Sequence, residues 1–158
     1  MDDAHAREVA MAAFAEGEGM LFTEQTISQV NDNPLYHTLG IRIEKAAEGQ
    51  ARSRLDPSPE VCWPFQGQPH GGILFTLMDT TMAWAVLSKL TPGYSCSTIN
   101  LDIHYTRPAK GNLFYFAAEI SHQTTRYSFV RSEIHDADGK LMALGQATFA
   151  IVEMEIRH

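Results

Sequence analysis

The sequence from Gly71 to Ser88 contains one charged side chain, that of Asp79, among apolar residues that fall on nearly every face of a helix. A helix that is apolar on all sides needs to be covered on all sides. The segment therefore predicts a helix from about Gly71 to Lys89 that the rest of the fold encloses. Asp79 is expected to be enclosed with it, where a carboxylate needs hydrogen-bond partners or a specific chemical role.

Strand patterns around this helix supply the cover. Residues 99–105 alternate between apolar and polar side chains, which is typical of a sheet with one buried face. Further strands are predicted at residues 39–45, 50–55, 113–121, 127–135 and 141–152, with a hairpin turn at residues 136–139. The fold class is therefore α+β: an antiparallel sheet with one long helix against it.

The remaining segments predict the domain organisation. Residues 4–16 predict a short helix, and residues 31–35 predict a turn followed by an extended approach to the first strand. Residues 56–69, with four prolines, predict a long irregular loop, and such loops are often functional. We expect a single domain at residues 33–158, preceded by an N-terminal helical arm at residues 1–32.

Charge and composition argue against several classes of function. The net charge of −7 disfavours a nucleic-acid partner, which requires a basic surface. The acidic N-terminus is unlike a secretion signal, and no apolar run is long enough for a membrane span. Cys62 and Cys96 fit no metal-ligand spacing, and neither do the histidines. We expect a cytoplasmic protein with no metal, no nucleic-acid partner and no membrane partner.

Two interpretations of Asp79 remain open from the residues alone. A buried acid suits general-base or nucleophilic chemistry near neutral pH. Equally, a hydrogen bond to Thr76, to Thr80 or to nearby backbone gives the carboxylate a purely structural role. Composition favours neither interpretation.

Gly71 and Gly72 stand where the helix begins, although glycine is a poor helix former. Free N–H groups at a helix N-terminus stabilise negative charge on an oxygen, and a tight strand-to-helix turn is the alternative explanation. Gly71 and Asp79 are eight residues apart, which is about 12 Å along a helix axis. If both contact one carbonyl group, they belong to two subunits with antiparallel helices, which predicts a site at a two-fold interface.

Several stretches of the sequence match the motifs of a known family. They are Pro69-His70-Gly71-Gly72 with the acid at Asp79, residues 33–35 leading into 39–41, residues 98–109, and the last hairpin at 136–140 and 145–149. Together they resemble the PaaI-like branch of the hotdog acyl-CoA thioesterases, over roughly residues 33–152. The resemblance implies about five or six antiparallel strands wrapped around one central helix. It also implies hydrolysis of an acyl-CoA, without metal or redox cofactor, by a homodimer or a homotetramer.

The resemblance implies roles for individual residues. Asp79 falls on the family's catalytic acid, which activates water or attacks the thioester carbonyl, and Gly71 falls on the amide that polarises this carbonyl. Thr98 falls on a hydroxyl residue that positions the nucleophile, and His70 on a histidine that orients the loop. The expected substrate-binding residues are Gly72, Gln66, Gln68, Asn100, Arg107 and Arg126.

Pro64 departs from the family's pattern. The family often has an Asn six residues before the His, where it contacts the thioester or the attacking water, but proline has neither a side-chain amide nor an N–H. Gln66 and Gln68 are the candidates to replace it. The departure leaves open a second hypothesis, a dimer that binds acyl-CoA without hydrolysing it.

A third hypothesis is a hydratase of the hotdog fold. The segment from Asp32 to His37 partly resembles the hydratase signature, in which an Asp and a His add water to an enoyl thioester. The spacing differs from that signature, and the segment precedes the first predicted strand instead of leading into the central helix. A turn before that strand is the favoured interpretation.

Overall fold

The structure, a computed structural model, describes residues 23–58 and 68–154. In chain order its elements are α1 (Glu24–Asn31), α2 (Pro34–Leu39), β1 (Ile41–Ala47), β2 (Gln50–Leu55), α3 (Gly71–Leu87), β3 (Tyr94–Tyr105), β4 (Phe114–Gln123), β5 (Tyr127–Asp136) and β6 (Leu141–Glu153). The long helix and the strands lie where the sequence predicts them, apart from shifts at their ends. The predicted helix at residues 4–16 lies outside the described residues.

The six strands form one antiparallel sheet in the order β1-β2-β4-β5-β6-β3. This order leaves β1 and β3 as the two edge strands. The helix α3 packs against the inner face of the sheet, and its side chains Leu77, Met78 and Met82 are fully buried there. The α+β architecture is confirmed.

A buried pair of hydroxyl groups fixes the long helix to the sheet. The side chains of Ser53 on β2 and Thr81 on α3 are hydrogen-bonded to each other, and both are shielded from solvent. Because the Thr81 hydroxyl also donates to the carbonyl of Leu77 at 2.7 Å, Ser53 is the donor to Thr81. Buried hydroxyls require such partners, so the pair sets the position of α3 along β2.

The approach to the first strand differs from the prediction. Residues 31–35 were expected to form a turn followed by extended chain, but α1 ends at Asn31 and α2 begins at Pro34. Only residues 32 and 33 lie between these two helices. The side chain of Asn31 binds the backbone of Ile43 on β1 twice, at 2.8 and 2.9 Å, so α1 is attached to the sheet. The domain boundary at residue 32 stays a prediction.

Across residues 23–58 and 68–154, none of the helices has the length and apolar character that crossing a membrane requires.

Candidate active site

The N-terminus of α3 is built by the segment His70-Gly71-Gly72. His70 is the N-cap, with extended backbone, and its Nδ1 accepts a hydrogen bond from the Gly72 N–H at 2.9 Å. Its carbonyl oxygen accepts from the N–H of Ile73, also at 2.9 Å. Since Nδ1 is an acceptor, the His70 ring carries no proton on this nitrogen and holds the start of the helix in place.

These two bonds do not involve the N–H of Gly71. No described residue accepts a hydrogen bond from the Gly71 N–H, whereas the N–H groups of Gly72 and Ile73 both have partners. The carbonyl of Gly71 accepts a hydrogen bond from the hydroxyl of Tyr105, at 2.6 Å. Among the residues that the structure describes, the Gly71 N–H therefore has no acceptor, and it lies at the positive end of the helix dipole.

Asp79 lies two turns further along α3 and contacts the edge strand. The hydroxyl of Thr98 on β3 donates to Asp79 Oδ1 at 2.9 Å. Within the described part of the chain, no group hydrogen-bonds the second oxygen, Oδ2. Thr76, considered from the sequence as a partner, instead donates to the carbonyl of Gly72 at 2.9 Å. The carboxylate is thus held at one oxygen and free to act at the other.

The expectation that α3 is covered on all sides is wrong for the single chain. Gly71, Phe75 and Asp79 recur every fourth residue and share one face of the helix. Gly71 and Asp79 are only partly buried, and Phe75 is 39% exposed. The reason is the strand order, because β3 is an edge strand and the sheet ends beside Asp79. An open, largely apolar helix face therefore lies beside an open strand edge.

Cys96 lies close to Asp79 and is not a nucleophile. Its Sγ donates to the carbonyl of Ala83 on α3 at 3.8 Å. Burial, and then the negative charge of Asp79, raise the pKa of the Cys96 thiol to about 12. Since the thiolate is the reactive form of cysteine, the Cys96 side chain stays a neutral thiol near neutral pH.

The expected substrate-binding residues are distributed unevenly. Gly72 is at the start of α3, and Gln68 is half-buried shortly before it. Gln66, like Pro64, lies outside the described residues. Asn100 is exposed on β3, next to a register irregularity at residues 98–100. Gly72 and Gln68 alone of the described set are thus close along the chain to the free Gly71 amide.

The two arginines do not meet within one chain. Arg107 follows β3 beside Met142, to whose carbonyl Thr106 N–H donates, and the carbonyl of Arg126 accepts from Ile151 N–H. Met142 and Ile151 are nine residues apart on β6, so the arginines are separated by roughly 30 Å at ~3.3 Å per strand residue. One chain therefore cannot use both on the same ligand.

Tyr105 and Cys96 are the site residues that the sequence did not indicate. Tyr105 stood out only as an apolar position in an alternating strand, and nothing in this pattern places its hydroxyl on the start of α3. The pattern was therefore sufficient for the strand but not for this contact.

The described residues contain a cavity away from α3 and no cluster of metal ligands. A cavity of about 590 Å³ is lined by residues of β1, β2, β4, β5 and β6, among them Arg52, Glu119 and Arg131, and it includes neither Gly71 nor Asp79. Among residues 23–58 and 68–154, no three His, Cys, Asp or Glu side chains are grouped as metal ligands would be.

Known proteins provide an independent comparison. The sequence profile of the Thioesterase superfamily matches residues 66–143. A protein of Halobacterium salinarum whose name provisionally calls it an esterase is 32% identical over 133 residues, covering 78% of this chain and 88% of that protein. The medium/long-chain acyl-CoA thioesterase YigI of Salmonella typhimurium is 24% identical over 152 residues, covering 84% of this chain and 97% of that protein.

A solved structure is similar over most of the fold. The PaaI protein from the phenylacetic acid degradation operon of E. coli aligns with a TM-score of 0.70 and 25% identity, over 79% of this chain and 88% of that chain. The six-stranded antiparallel sheet around one long helix is the hotdog fold. On its identity to the Halobacterium salinarum protein and its match to the family profile, this chain belongs to the thioesterase superfamily.

Proposed function

We propose that this protein hydrolyses acyl-CoA thioesters to a free acid and CoA. The observation that carries the proposal is the open face of α3, which presents both a carboxylate, Asp79, and a free backbone donor, Gly71 N–H. Carboxylates activate water or attack carbonyl carbons, and backbone N–H groups stabilise the oxyanion that results. Family membership supports a thioester as the bond that is broken.

The two groups are proposed to act across a two-fold interface. Within one helix they are about 12 Å apart, too far for one carbonyl group. On β3, Thr98 contacts Asp79 and Tyr105 contacts Gly71, and the midpoint between residues 98 and 105 lies between Leu101 and Asp102. A two-fold axis at this midpoint pairs two β3 edges in antiparallel fashion. It then brings Asp79 near Gly71 of the partner subunit.

The edge strand itself supports this pairing. β3 is 12 residues long, is bonded only to β6 in the described sheet, and carries Ile99 with 56% of its surface exposed. Long apolar edge strands readily pair with a further strand. The same axis brings Arg107 of one subunit toward Cys96 of the partner subunit. Within a chain, Cys96 pairs with Ile151, whose N–H donates to the carbonyl of Arg126, so Arg107 of one subunit comes near Arg126 of the other. Arginines from both subunits would then face the phosphates of one CoA.

The reaction needs only water and the thioester. The Gly71 amide donates to the carbonyl oxygen as negative charge develops, while Asp79 Oδ2 takes a proton from the attacking water or attacks the carbonyl carbon itself. In the second case, water cleaves the resulting anhydride. The C–S bond breaks, the sulfur of CoA receives a proton, and no electrons are transferred to a cofactor. The Thr98 hydroxyl holds Oδ1 and aims Oδ2.

The similar proteins support acyl-CoA as the substrate class. One is named a medium/long-chain acyl-CoA thioesterase and another is PaaI, of a phenylacetic acid operon. We propose that the chain is a member of the PaaI-like branch and a cytoplasmic enzyme that acts as a dimer or a dimer of dimers. The preferred acyl group is found by comparing hydrolysis rates across a panel of acyl-CoAs.

The decisive experiment is release of CoA thiol from a panel of short, medium, long and aromatic acyl-CoAs. Asp79→Asn is expected to reduce kcat by at least about 100-fold, because the base or nucleophile is lost. Thr98→Val is expected to reduce kcat about tenfold, because the carboxylate loses an anchor. Asp138→Asn, at the exposed β5–β6 turn, serves as the matched control and should equal the wild type.

Two other outcomes separate the alternatives. Binding of acyl-CoA without thiol release by the wild type would support the non-catalytic dimer. Hydration of a crotonyl thioester that is lost in His37→Ala would support the hydratase. Against the hydratase, His37 is on α2, with Nε2 4.0 Å from Asp32, and both side chains are about 70% exposed. Full activity in Asp79→Asn would refute the proposed mechanism.

A further inference from the structure

The two peptide units at the start of α3 are held by hydrogen bonds. The peptide unit between Gly71 and Gly72 is bonded at both ends: its carbonyl oxygen accepts from Tyr105, and its N–H donates to His70 Nδ1. The preceding peptide unit, between His70 and Gly71, is bonded at its carbonyl by Ile73 N–H. Of the four polar groups in these two peptide units, the Gly71 N–H alone has no partner among the residues that the structure describes.

Such fixing matters because residue 71 is a glycine. Without a Cβ, glycine has more backbone freedom than any other residue, so its amide direction is poorly defined unless neighbours restrain it. An oxyanion donor stabilises the transition state only when it is already aimed at the developing charge. The restraint at Gly71 comes from outside the helix, from a side chain of β3.

Tyr105 also packs on the glycine itself. A Cβ built on Gly71 would lie 3.2 Å from the Tyr105 hydroxyl oxygen and 3.4 Å from the ring carbon that bears it. The tyrosine thus occupies the space next to the Gly71 Cα and contacts the same residue by packing and by a 2.6 Å hydrogen bond. Two contacts of different kind restrain rotation better than one.

We propose that Tyr105 is a positioning residue of the thioesterase site, which fixes the Gly71–Gly72 peptide and thereby aims the free Gly71 N–H at the thioester oxygen. The inference rests on the proposed function and extends it to a residue on β3. Tyr105 does not contact the reacting atoms; it acts through Gly71.

The protonation state of the tyrosine suits this role. Burial raises the pKa of Tyr105 above its ordinary value of 10.0. The hydroxyl therefore keeps its proton, and with it the hydrogen bond to Gly71, throughout the range in which a thioesterase is assayed. A deprotonated tyrosine would instead repel the carbonyl oxygen.

The test compares Tyr105→Phe, which removes only the hydroxyl, with Tyr115→Phe, a tyrosine of similar exposure on β4 away from α3. Tyr105→Phe is expected to reduce kcat about tenfold and to change KM by less than about twofold. The Gly71 N–H loses its fixed orientation, whereas the groups that bind the substrate are unchanged. Tyr115→Phe should leave both unchanged. Light scattering and thermal melting verify that both variants keep the assembly and stability of the wild type.

A second measurement does not depend on activity. The amide signals of Gly71 and Gly72 in ¹H–¹⁵N spectra, and their hydrogen-exchange rates, should change in Tyr105→Phe and not in Tyr115→Phe. If the wild type releases no thiol, the proposed function fails, and these signals alone decide whether Tyr105 restrains Gly71. Unchanged kcat in Tyr105→Phe, or unchanged amide signals, would overturn the inference.

Discussion

At the scale of single residues, Cys96 reports on the charge of Asp79. Its thiol is shielded from solvent and lies in the field of the Asp79 carboxylate, and both effects disfavour the thiolate. The pKa of about 12 exceeds the ordinary value of 9.0. A raised folded-state pKa of this kind contributes stability that is fully present below about pH 9 and is lost as the pH rises toward 12.

This dependence predicts slow alkylation of Cys96. At pH 8 about one thiol in 10⁴ is ionised for a pKa of about 12, so in a Cys62→Ser background iodoacetamide should react more than about 100-fold slower than with a free thiol. Asp79→Asn removes the second cause of the shift and should accelerate the reaction several-fold, as measured by mass spectrometry over a pH series. Asp138→Asn should have no effect. Equal rates with and without the Asp79 charge would contradict the predicted coupling.

At the scale of elements, Gly40 forms the corner between α2 and β1. It ends α2 with φ 74°, and its carbonyl accepts a hydrogen bond from Asp56 N–H at 2.9 Å. A Cβ at this position would overlap the carbonyl oxygen of Asp56. The corner therefore joins the start of β1 to the end of β2.

Gly139 offers a matched control for the cost of substituting Gly40. It has nearly the same backbone angle, φ 77°, but no atom lies within 4 Å of the position of its Cβ. Gly139→Ala should cost about 1–2 kcal/mol, the cost of left-handed backbone in an L-residue. Gly40→Ala should cost about 2 kcal/mol more, since the Asp56 backbone has to move. Urea unfolding measures both, and equal costs would mean that the corner relaxes freely.

The elements also indicate what the sequence can and cannot predict. β2 has its predicted bounds because its alternation is complete. The bounds of α1, which lies within the predicted helical arm, and the presence of α2 were not predicted, although the caps of both helices are visible in the sequence. Thr23 caps α1 and Asn33 caps α2. An Asn followed by Pro34 fits a turn as well as a helix start, so local chemistry could not decide.

The candidate site likewise has a part that the sequence predicts and a part that it does not. The spacing of Gly71 and Asp79 along one helix follows from helix geometry and was predictable. The contacts of Thr98 with Asp79 and of Tyr105 with Gly71 depend on how β3 aligns with α3, which is a property of tertiary packing. Apolar residues around the helix predicted burial, but they do not say whether the same chain or a second copy covers each face.

At the scale of the whole molecule, one two-fold axis would cover both the open face of α3 and the open edge of β3. The proposed axis, which pairs Asp79 with Gly71 of the partner subunit, would pass near Phe75, the residue midway between them on α3. On β3 the proposed axis would pass between Leu101 and Asp102. A residue on a two-fold axis meets its own copy. The exposed Phe75 side chain would then pack against the partner's α3, and this would explain an aromatic residue at an open position.

This geometry predicts a specific crosslink. Phe75→Cys in a Cys62→Ser background should form a disulfide between subunits under mild oxidation, because a disulfide needs Cβ atoms about 4 Å apart. Cys96 can remain in place, since its pKa of about 12 keeps it unreactive. Leu35→Cys, on α2 and 50% exposed, is the control and should stay uncrosslinked. Non-reducing gel electrophoresis gives the yield. If light scattering detects a dimer but Phe75→Cys crosslinks no better than Leu35→Cys, the subunits pair through another surface, and the site across β3 is wrong.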